Sequence, residues 1–517
     1  MYVELCMMHV DLGKNGPFLY EILYNEPISC NNGVRCMKSL ILNPYLPEGE
    51  YFPDGEPHVF GDHVFLYGSH DKCGSMRYCP GDYVVWSAPV NDLSQWRNRG
   101  VSYRRWGVRN RLGYRCMWAP DCTIGPDGRF YLYYCFDFDN RTCVAVSAQP
   151  DGPFTFYGYV KYPDGTLYGK GPKDIMCFDP GVFTDDDGQT YLYSGYSANE
   201  DLKKMLNGRG IHNVDGTGGQ VVKLERDMLT IAGEPKMTIP GYKNSAGTGF
   251  EGHEMYEASS VRKIGGKYYF IYSSRLSHEL AYAVSDRPDG GFRYGGPIIS
   301  NGDIGYQGRK EKDALNYWGN VHGSIEQIDG QWYVFYHRQT DKTEQSRQGY
   351  AERIEILPDG SIPMVEMTTQ GLYGKPLPGV GTYPAYAACN LYSKQGAIKC
   401  AYGIFSKHKY SAHPCITEYR KGKQCIRNMQ DGATAGFKYF DLKGRTRIAV
   451  KTRGADGCLT VRTAPDAQPV GKIPVKAGSS WQDASAELLL PVGKAALYFT
   501  YEGSGKIDFL SFTLQSV

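Results

Sequence analysis

The chain has 517 residues, too many for one ordinary hydrophobic core, so two domains are the default expectation. Lys plus Arg number 57 against 55 Asp plus Glu, which excludes the basic field of a nucleic-acid or anionic-membrane binder and suits a neutral, hydroxylated partner. No run of about 18 apolar residues occurs, so no membrane-spanning helix is expected.

Residues 1–38 fit no repeat and read as an N-terminal extension, with Cys30–Cys36 as a loop around Asn31-Asn32-Gly33. The opening MYVELCMMHVDLGKNGPF lacks both the basic flank and the unbroken apolar stretch of a signal peptide, which points to a cytoplasmic protein. The 15 cysteines are odd in number, and the pairs Cys73/Cys79, Cys116/Cys122 and Cys135/Cys143 lack the tight spacing of a zinc site. Free thiols in a reducing compartment are the expectation.

From residue 39 onward one grammar occurs five times: a polar or acidic residue, an apolar run, a turn with Asp or Gly, then an aromatic strand. The segments are FPDGEPHVFGDHVFLYGS, WAPDCTIGPDGRFYLYYC, CFDPGVFTDDDGQTYLYS, YEASSVRKIGGKYYFIYS and NVHGSIEQIDGQWYVFYH. Their turn glycines Gly61, Gly128, Gly188, Gly266 and Gly330 stand about 60 to 78 residues apart, the period of a sheet-sized repeat. Five sheets around an axis, an all-β five-bladed propeller over 39–371, follow from that period. In the first repeat Tyr83–Trp86 reads as a third strand and Trp96 as a packing residue before the fourth. The third repeat carries the longest insertion, Ser197–Gly219; this loop and Asn301–Trp318 are expected at the channel mouth. Residues 372–384 are dense in Gly and Pro and read as a linker. Residues 385–517 return to alternating strands with no helical period, the pattern of a β-sandwich.

Each first strand presents one conspicuous polar group: Asp54, Asp121, Asp179, Glu257 and His322. A radial array would bring them together at one end of the central channel. Crowded carboxylates push one another's pKa values apart, so one can stay protonated while another stays ionised. Two such groups flanking a glycosidic bond suffice for its hydrolysis. Asp185, Asp186 and Asp187 instead read as turn residues holding backbone amides.

The repeats resemble glycoside hydrolase family 43 over roughly residues 40–370. Tyr51-Phe52-Pro53-Asp54 followed by His58-Val59-Phe60 resembles the blade-one motif and implies Asp54 as the general base. Gly55-Glu56-Pro57 replaces the Pro that usually follows that Asp, which leaves Glu56 as the alternative. Phe178-Asp179-Pro180 implies Asp179 as the residue that tunes the acid, and Glu257-Ala258-Ser259-Ser260 implies Glu257 as the general acid; Glu251 and Glu254 lack a following strand at the right distance. The same resemblance implies Trp118, His322 and Arg347 as substrate-binding residues and leaves Asp121 to orientation or structure. No cofactor is required by this chemistry. Some family members hold a calcium ion on the axis through the blade-five histidine, which would make His322 a metal ligand. The tail is similar to carbohydrate-binding modules of family 6, with Trp481, Tyr439 and Tyr501 as candidate sugar-stacking residues.

The function so implied is an inverting, exo-acting α-L-arabinofuranosidase on plant-derived oligosaccharides. β-Xylosidase or exo-galactanase action on the same fold is the near alternative. A silent propeller that binds sugar or protein is the alternative of another class.

Overall fold

The computed structural model describes residues 40–517 apart from 108–109, 111–112, 138, 172, 199, 209–213, 215, 342 and 401–412. The N-terminal extension 1–38, with its Cys30–Cys36 loop, lies outside the described residues. Every cysteine among them is a free thiol.

Five antiparallel sheets follow in chain order. Blade one is β1 (Glu56–Phe60), β2 (His63–Tyr67), β3 (Tyr83–Pro89) and β4 (Arg97–Tyr103). Blade two is β5 (Met117–Ile124), β6 (Phe130–Phe136), β7 (Cys143–Ser147) and β8 (Thr155–Tyr159). Blade three is β9 (Gly181–Thr184), β10 (Thr190–Gly195), β11 (Gly218–Leu224) and β12 (Ile231–Pro240), with a helix α1 (Glu200–Asn207) in its insertion. Blade four is β13 (Met255–Ile264), β14 (Lys267–Ser274), β15 (Glu279–Ser285) and β16 (Arg293–Ser300), and blade five is β17 (Ser324–Ile328), β18 (Gln331–Gln339) and β19 (Arg347–Ile354).

The period-2 alternation of each second strand explains why the blades close into a ring, since successive side chains face opposite neighbours. In β2, Val64 and Leu66 pack with Phe335 and Tyr333 of blade five, whereas Phe65 and Tyr67 pack with Leu132 and Tyr134 of blade two. Tyr131 and Tyr133 reach Leu192 of blade three; Tyr191 and Tyr193 reach Phe270 and Tyr272 of blade four. Tyr269 and Ile271 complete the circuit against Val334 and Tyr336 of blade five. The apolar runs seen in the sequence are therefore two-sided, and no blade buries its faces alone. The segment before β1 runs beside β19: Asn43 exchanges bonds with the Ala351 backbone at 3.0 Å each way, and the Tyr45 N–H donates to the Gly349 carbonyl at 3.3 Å.

The C-terminal strands are β20 (Leu377–Pro378), β21 (Gly381–Pro384), β22 (Asn390–Tyr392), β23 (Cys415–Arg420), β24 (Lys423–Gln430), β25 (Thr434–Gly454), β26 (Gly457–Arg462), β27 (Gly471–Val475), β28 (Gly478–Glu502) and β29 (Lys506–Ser516). The long β25 and β28 pass three register shifts, bending at these irregularities around a core of Phe437, Phe440, Phe499, Phe509 and Phe512. Residues 372–384, read above as a linker, are built into this sheet: β20 pairs with β25 and β21 with β29. Pro fits there because both strands are short edge pieces.

The loop Asn301–Trp318 is a correction to the reading above. It holds the sandwich instead of lining the channel mouth. Asn316 and Trp318 form isolated bridges to Leu391 and Lys399, and Asp303 accepts from Lys438 Nζ at 2.8 Å. Lys438 also meets Glu366 at 2.8 Å and is itself buried. Removing one partner of a buried ion pair leaves the other charge uncompensated at a cost of about 3–5 kcal/mol. Lys438→Met is therefore expected to lower thermal stability by that order, and calorimetry of the full chain measures it.

Candidate active site

Three polar side chains reach the axis by the same device. Asp54, Asp179 and His322 each stand two residues ahead of a first strand, β1, β9 and β17 respectively. Asp54 and Asp179 have left-handed backbones (φ 58° and 44°), a conformation that costs a non-glycine residue energy and persists where surrounding contacts enforce it. Glu257 lies within β13, between two register shifts, and the following Ala258 is left-handed at φ 69°. Glycine lets the inner backbones come close behind these groups: a Cβ on Gly181 would lie 2.2 Å from the Ser259 carbonyl oxygen, and one on Gly323 1.8 Å from that of Phe335.

The result is one cavity of about 730 Å³ lined by Asp54, Asp179, Glu257, Trp118, His322 and Arg347, all six residues expected from the sequence. Tyr78, Phe178, Tyr196, Tyr242 and Tyr256 add aromatic wall, and Leu206 of α1 brings the blade-three insertion to it. The sandwich contributes Lys399, on a stretch held by hydrogen bonds between Trp318 and its flanking residues Ile398 and Cys400. Glu56 and Asp121 do not line the cavity. Asp121 lies four residues into β5, deeper along the channel, where it meets His58 Nε2 at 2.6 Å and accepts from the Cys122 and Val182 amides at 2.7 Å. The expected convergence of all five groups is thus corrected to four, because blade two enters its strand earlier and puts Trp118 at the level of the others. Glu251 bonds its own turn and Glu254 bonds Ser245, both outside the cavity.

Charge is sorted sharply within the site. Asp54 is buried, which opposes ionisation, yet the Arg347 guanidinium at 2.9 Å holds its carboxyl well below the usual range. Burial pushes Glu257 well above the usual glutamate range, and the neighbouring Asp179 charge adds to it. Asp179 is raised chiefly by burial, against the pull of His322 Nδ1 at 3.4 Å. Its Oδ2 accepts the Ala258 amide at 3.2 Å, which ties it to the residue after Glu257. His322 is raised well above an ordinary histidine: burial opposes its charge, but Asp179, Glu56 and Asp54 surround the ring. The site therefore pushes two carboxyls in opposite directions, Asp54 toward its ionised form and Glu257 toward its protonated form, the asymmetry that acid–base cleavage of an acetal needs.

A model of the glycosyl hydrolases family 43 matches residues 61–362. The chain belongs to that family. It is 46% identical over 486 residues to a xylosidase/arabinosidase of Thermoclostridium stercorarium, covering 92% of this chain and 99% of that protein. A Bacteroides ovatus xylosidase/arabinosidase is 30% identical over 57% of this chain and 87% of its own length, and a Xylanibacter ruminicola β-xylosidase 28% over 57% and 89%. The protein is accordingly a glycoside hydrolase, on a carbohydrate substrate. The matched segment begins after Asp54, so geometry is what places that residue in this family 43 site.

Several functional groups of the hydrolase had no signature in the sequence. Asp71 is buried and takes Arg347 through Nε at 2.8 Å and Nη2 at 3.2 Å, aiming the remaining nitrogen at Asp54. Arg347 also lies over the Tyr78 ring at 4.8 Å. His337, pushed down to about 4 by burial and by Arg347, is neutral; its Nδ1 accepts the Asp54 amide at 3.2 Å and its Nε2–H donates to the Asn320 carbonyl at 3.1 Å. Asn320 reaches Glu257 at 3.5 Å. Trp118 stands edge-on to Phe178 at 5.2 Å, half-buried in the wall.

Among the described residues one group of metal-competent atoms occurs, Glu56, His58 and Asp121, within 4.8 Å of one another. It does not fit a calcium ion, which takes six to eight oxygen ligands. Both Asp121 oxygens already serve backbone amides, and Glu56 Oε2 is occupied by Ser260 at 2.9 Å and Arg262 at 3.3 Å. His322, read above as a metal ligand, has both ring nitrogens turned toward carboxylates. In the sandwich, Tyr501 is core, Tyr439 donates to Glu366 of the propeller at 2.6 Å, and Trp481 packs half-buried between Tyr419 and Arg453.

Proposed function

We propose that the enzyme is an inverting exo-hydrolase that removes terminal α-L-arabinofuranosyl residues, and β-D-xylosyl residues as its second substrate, from plant-derived oligosaccharides. The observation that carries the reading is two carboxyls lining one cavity in opposed surroundings, Asp54 beside the Arg347 guanidinium at 2.9 Å and Glu257 buried beside Asp179. Asp54 takes a proton from water as that water attacks the anomeric carbon from one face. Glu257 delivers its proton to the departing glycosidic oxygen on the other. Asp179 keeps Glu257 protonated between turnovers, and Arg347 keeps Asp54 ionised and aimed. Inversion needs a base–acid separation of about 6.5–9.5 Å, room for the water between sugar and base. The cavity is within the size range of small-ligand sites, about 300–1,000 Å³, which suits a chain end better than a polymer threading through. Relatives named for both arabinosidase and xylosidase action support the two-substrate statement.

The test is a panel of nitrophenyl α-L-arabinofuranoside, β-D-xyloside and β-D-galactoside beside arabinoxylan fragments, with the product anomer followed by proton NMR. Turnover of the two pentosides with inverted configuration at the first product is expected. Retention of configuration, or turnover of the galactoside alone, would overturn the proposal.

A further inference from the structure

Below the cavity, the axis is crossed by a buried guanidinium that the acid–base scheme does not use. Arg262 of β13 donates from Nη2 to the Pro57 carbonyl at 2.8 Å and to Glu56 Oε2 at 3.3 Å, both on β1. Its Nε donates to Glu326 Oε2 on β17 at 3.2 Å, and its Nη1 to Ser260 Oγ at 3.2 Å and the Val261 carbonyl at 3.0 Å. One side chain thus ties the first strands of blades one, four and five. Ser260 extends the arrangement, bonded to Ser324 at 2.7 Å as well as to Glu56.

Glu56 is the link from this cation to the chemistry. While Oε2 meets Arg262 and Ser260, Oε1 lies 3.8 Å from His322 Nε2. The other face of that imidazole meets Asp179 at 3.4 Å and Asp54 at 3.9 Å. The order along the axis is therefore Arg262, Glu56, His322, and then the carboxylates that line the cavity. Without Arg262, the buried Glu56 carboxylate would lose a charged partner; it would be free to swing toward or away from His322.

We propose that Arg262 is the resident cation of the propeller axis, a positioning residue that fixes Glu56 beneath His322, so that the enzyme turns over without a divalent metal. This inference rests on the carboxylate roles proposed above. Three axial carboxylates, Glu56, Asp121 and Glu326, are met by Arg262 and by the His322 and His58 rings, each at ion-pair or hydrogen-bond distance. A dication placed among them would face the guanidinium in a poorly screened interior, where like charges repel strongly.

The wild-type protein is first assayed on nitrophenyl arabinofuranoside before and after exhaustive chelation, and the chelated protein is titrated with CaCl2 by isothermal calorimetry and by thermal melting. Unchanged kcat, no binding heat and no shift in Tm are expected. Loss of activity that CaCl2 restores, or saturable calcium binding that raises Tm, would overturn the proposal. Arg262→Met and Arg262→Lys are then compared. The Met variant is expected to lose kcat by about 100-fold, the scale of a modest misplacement of catalytic groups, with little change in KM, and the Lys variant to recover most of it. Equal kcat in Met variant and wild type would also overturn it, and should the Met variant fail to fold, the wild-type titration decides alone. A wild type inert on every glycoside, chelated or not, is a failure of the functional reading and shows itself before any of these comparisons.

Discussion

Asp54→Asn is expected to lower kcat/KM by about 10²–10⁴-fold, the usual contribution of a general base, on every glycoside the enzyme accepts. The substitution isolates that role because its structural side effects are small. Asn tolerates the left-handed backbone that Asp54 adopts (φ 58°), so the turn into β1 is kept. Its amide oxygen still accepts from Arg347 Nη1, and Arg347 retains the paired bonds to Asp71 at 2.8 and 3.2 Å. What is lost is the capacity to take a proton from water. The same residue is expected to set the acid limb of the pH–rate profile, displaced well below the usual carboxylate range. On the proposed mechanism activity needs Asp54 ionised and falls as pH drops through its pKa, which Arg347 holds below the ordinary range against the burial that opposes it. Steady-state kinetics across pH, with circular dichroism melts to show the fold intact, measures both effects. A variant within ten-fold of wild type would remove Asp54 from the mechanism.

The second large effect depends on the leaving group. Glu257→Gln is expected to cost about 10²–10⁴-fold on xylo- and arabino-oligosaccharides, whose departing alkoxide needs a proton, and far less on dinitrophenyl glycosides, whose phenolate leaves unaided. The alkaline limb carries the same signature. Activity needs Glu257 protonated, and it is lost as pH rises through a pKa that burial and Asp179 hold well above the glutamate range. Gln cannot titrate, so this limb should vanish on the activated substrates. Equal losses on both leaving groups would show that Glu257 positions substrate and does not donate the proton.

These two residues also illustrate how far local sequence information reaches. Asp54 and Glu257 were legible as polar groups because each precedes a short apolar run, a glycine turn and an aromatic strand within about twenty residues, while the resemblance to the family motifs is what implied their roles. The ring was legible from the spacing of the turn glycines, and the structure adds the reason it closes: strands apolar on both faces, such as Tyr191 and Tyr193 in TYLYSG, must be covered on both. The helix Glu200–Asn207, by contrast, is an amphipathic piece of only eight residues inside an insertion rich in Asn, Lys and Gly, too short to stand out from the surrounding loop in the sequence. The loop Asn301–Trp318 was misplaced for a similar reason: nothing in its own residues says that Lys438, 135 positions from Asp303, will meet it.

By itself the sequence determined the five repeats, the turns between their strands and the all-β tail, because each is written in nearest-neighbour chemistry and in period-2 alternation; the acidic trio came from the resemblance of its motifs to the family's. The tertiary structure alone decided in which direction each carboxyl's pKa is pushed. Asp54 and Asp179 enter their strands by the same left-handed turn, yet one is held down by Arg347, 293 residues away, and the other is raised by burial beside Glu257. Protonation follows from charges and dielectric in space, and ring closure brings those together from opposite ends of the propeller.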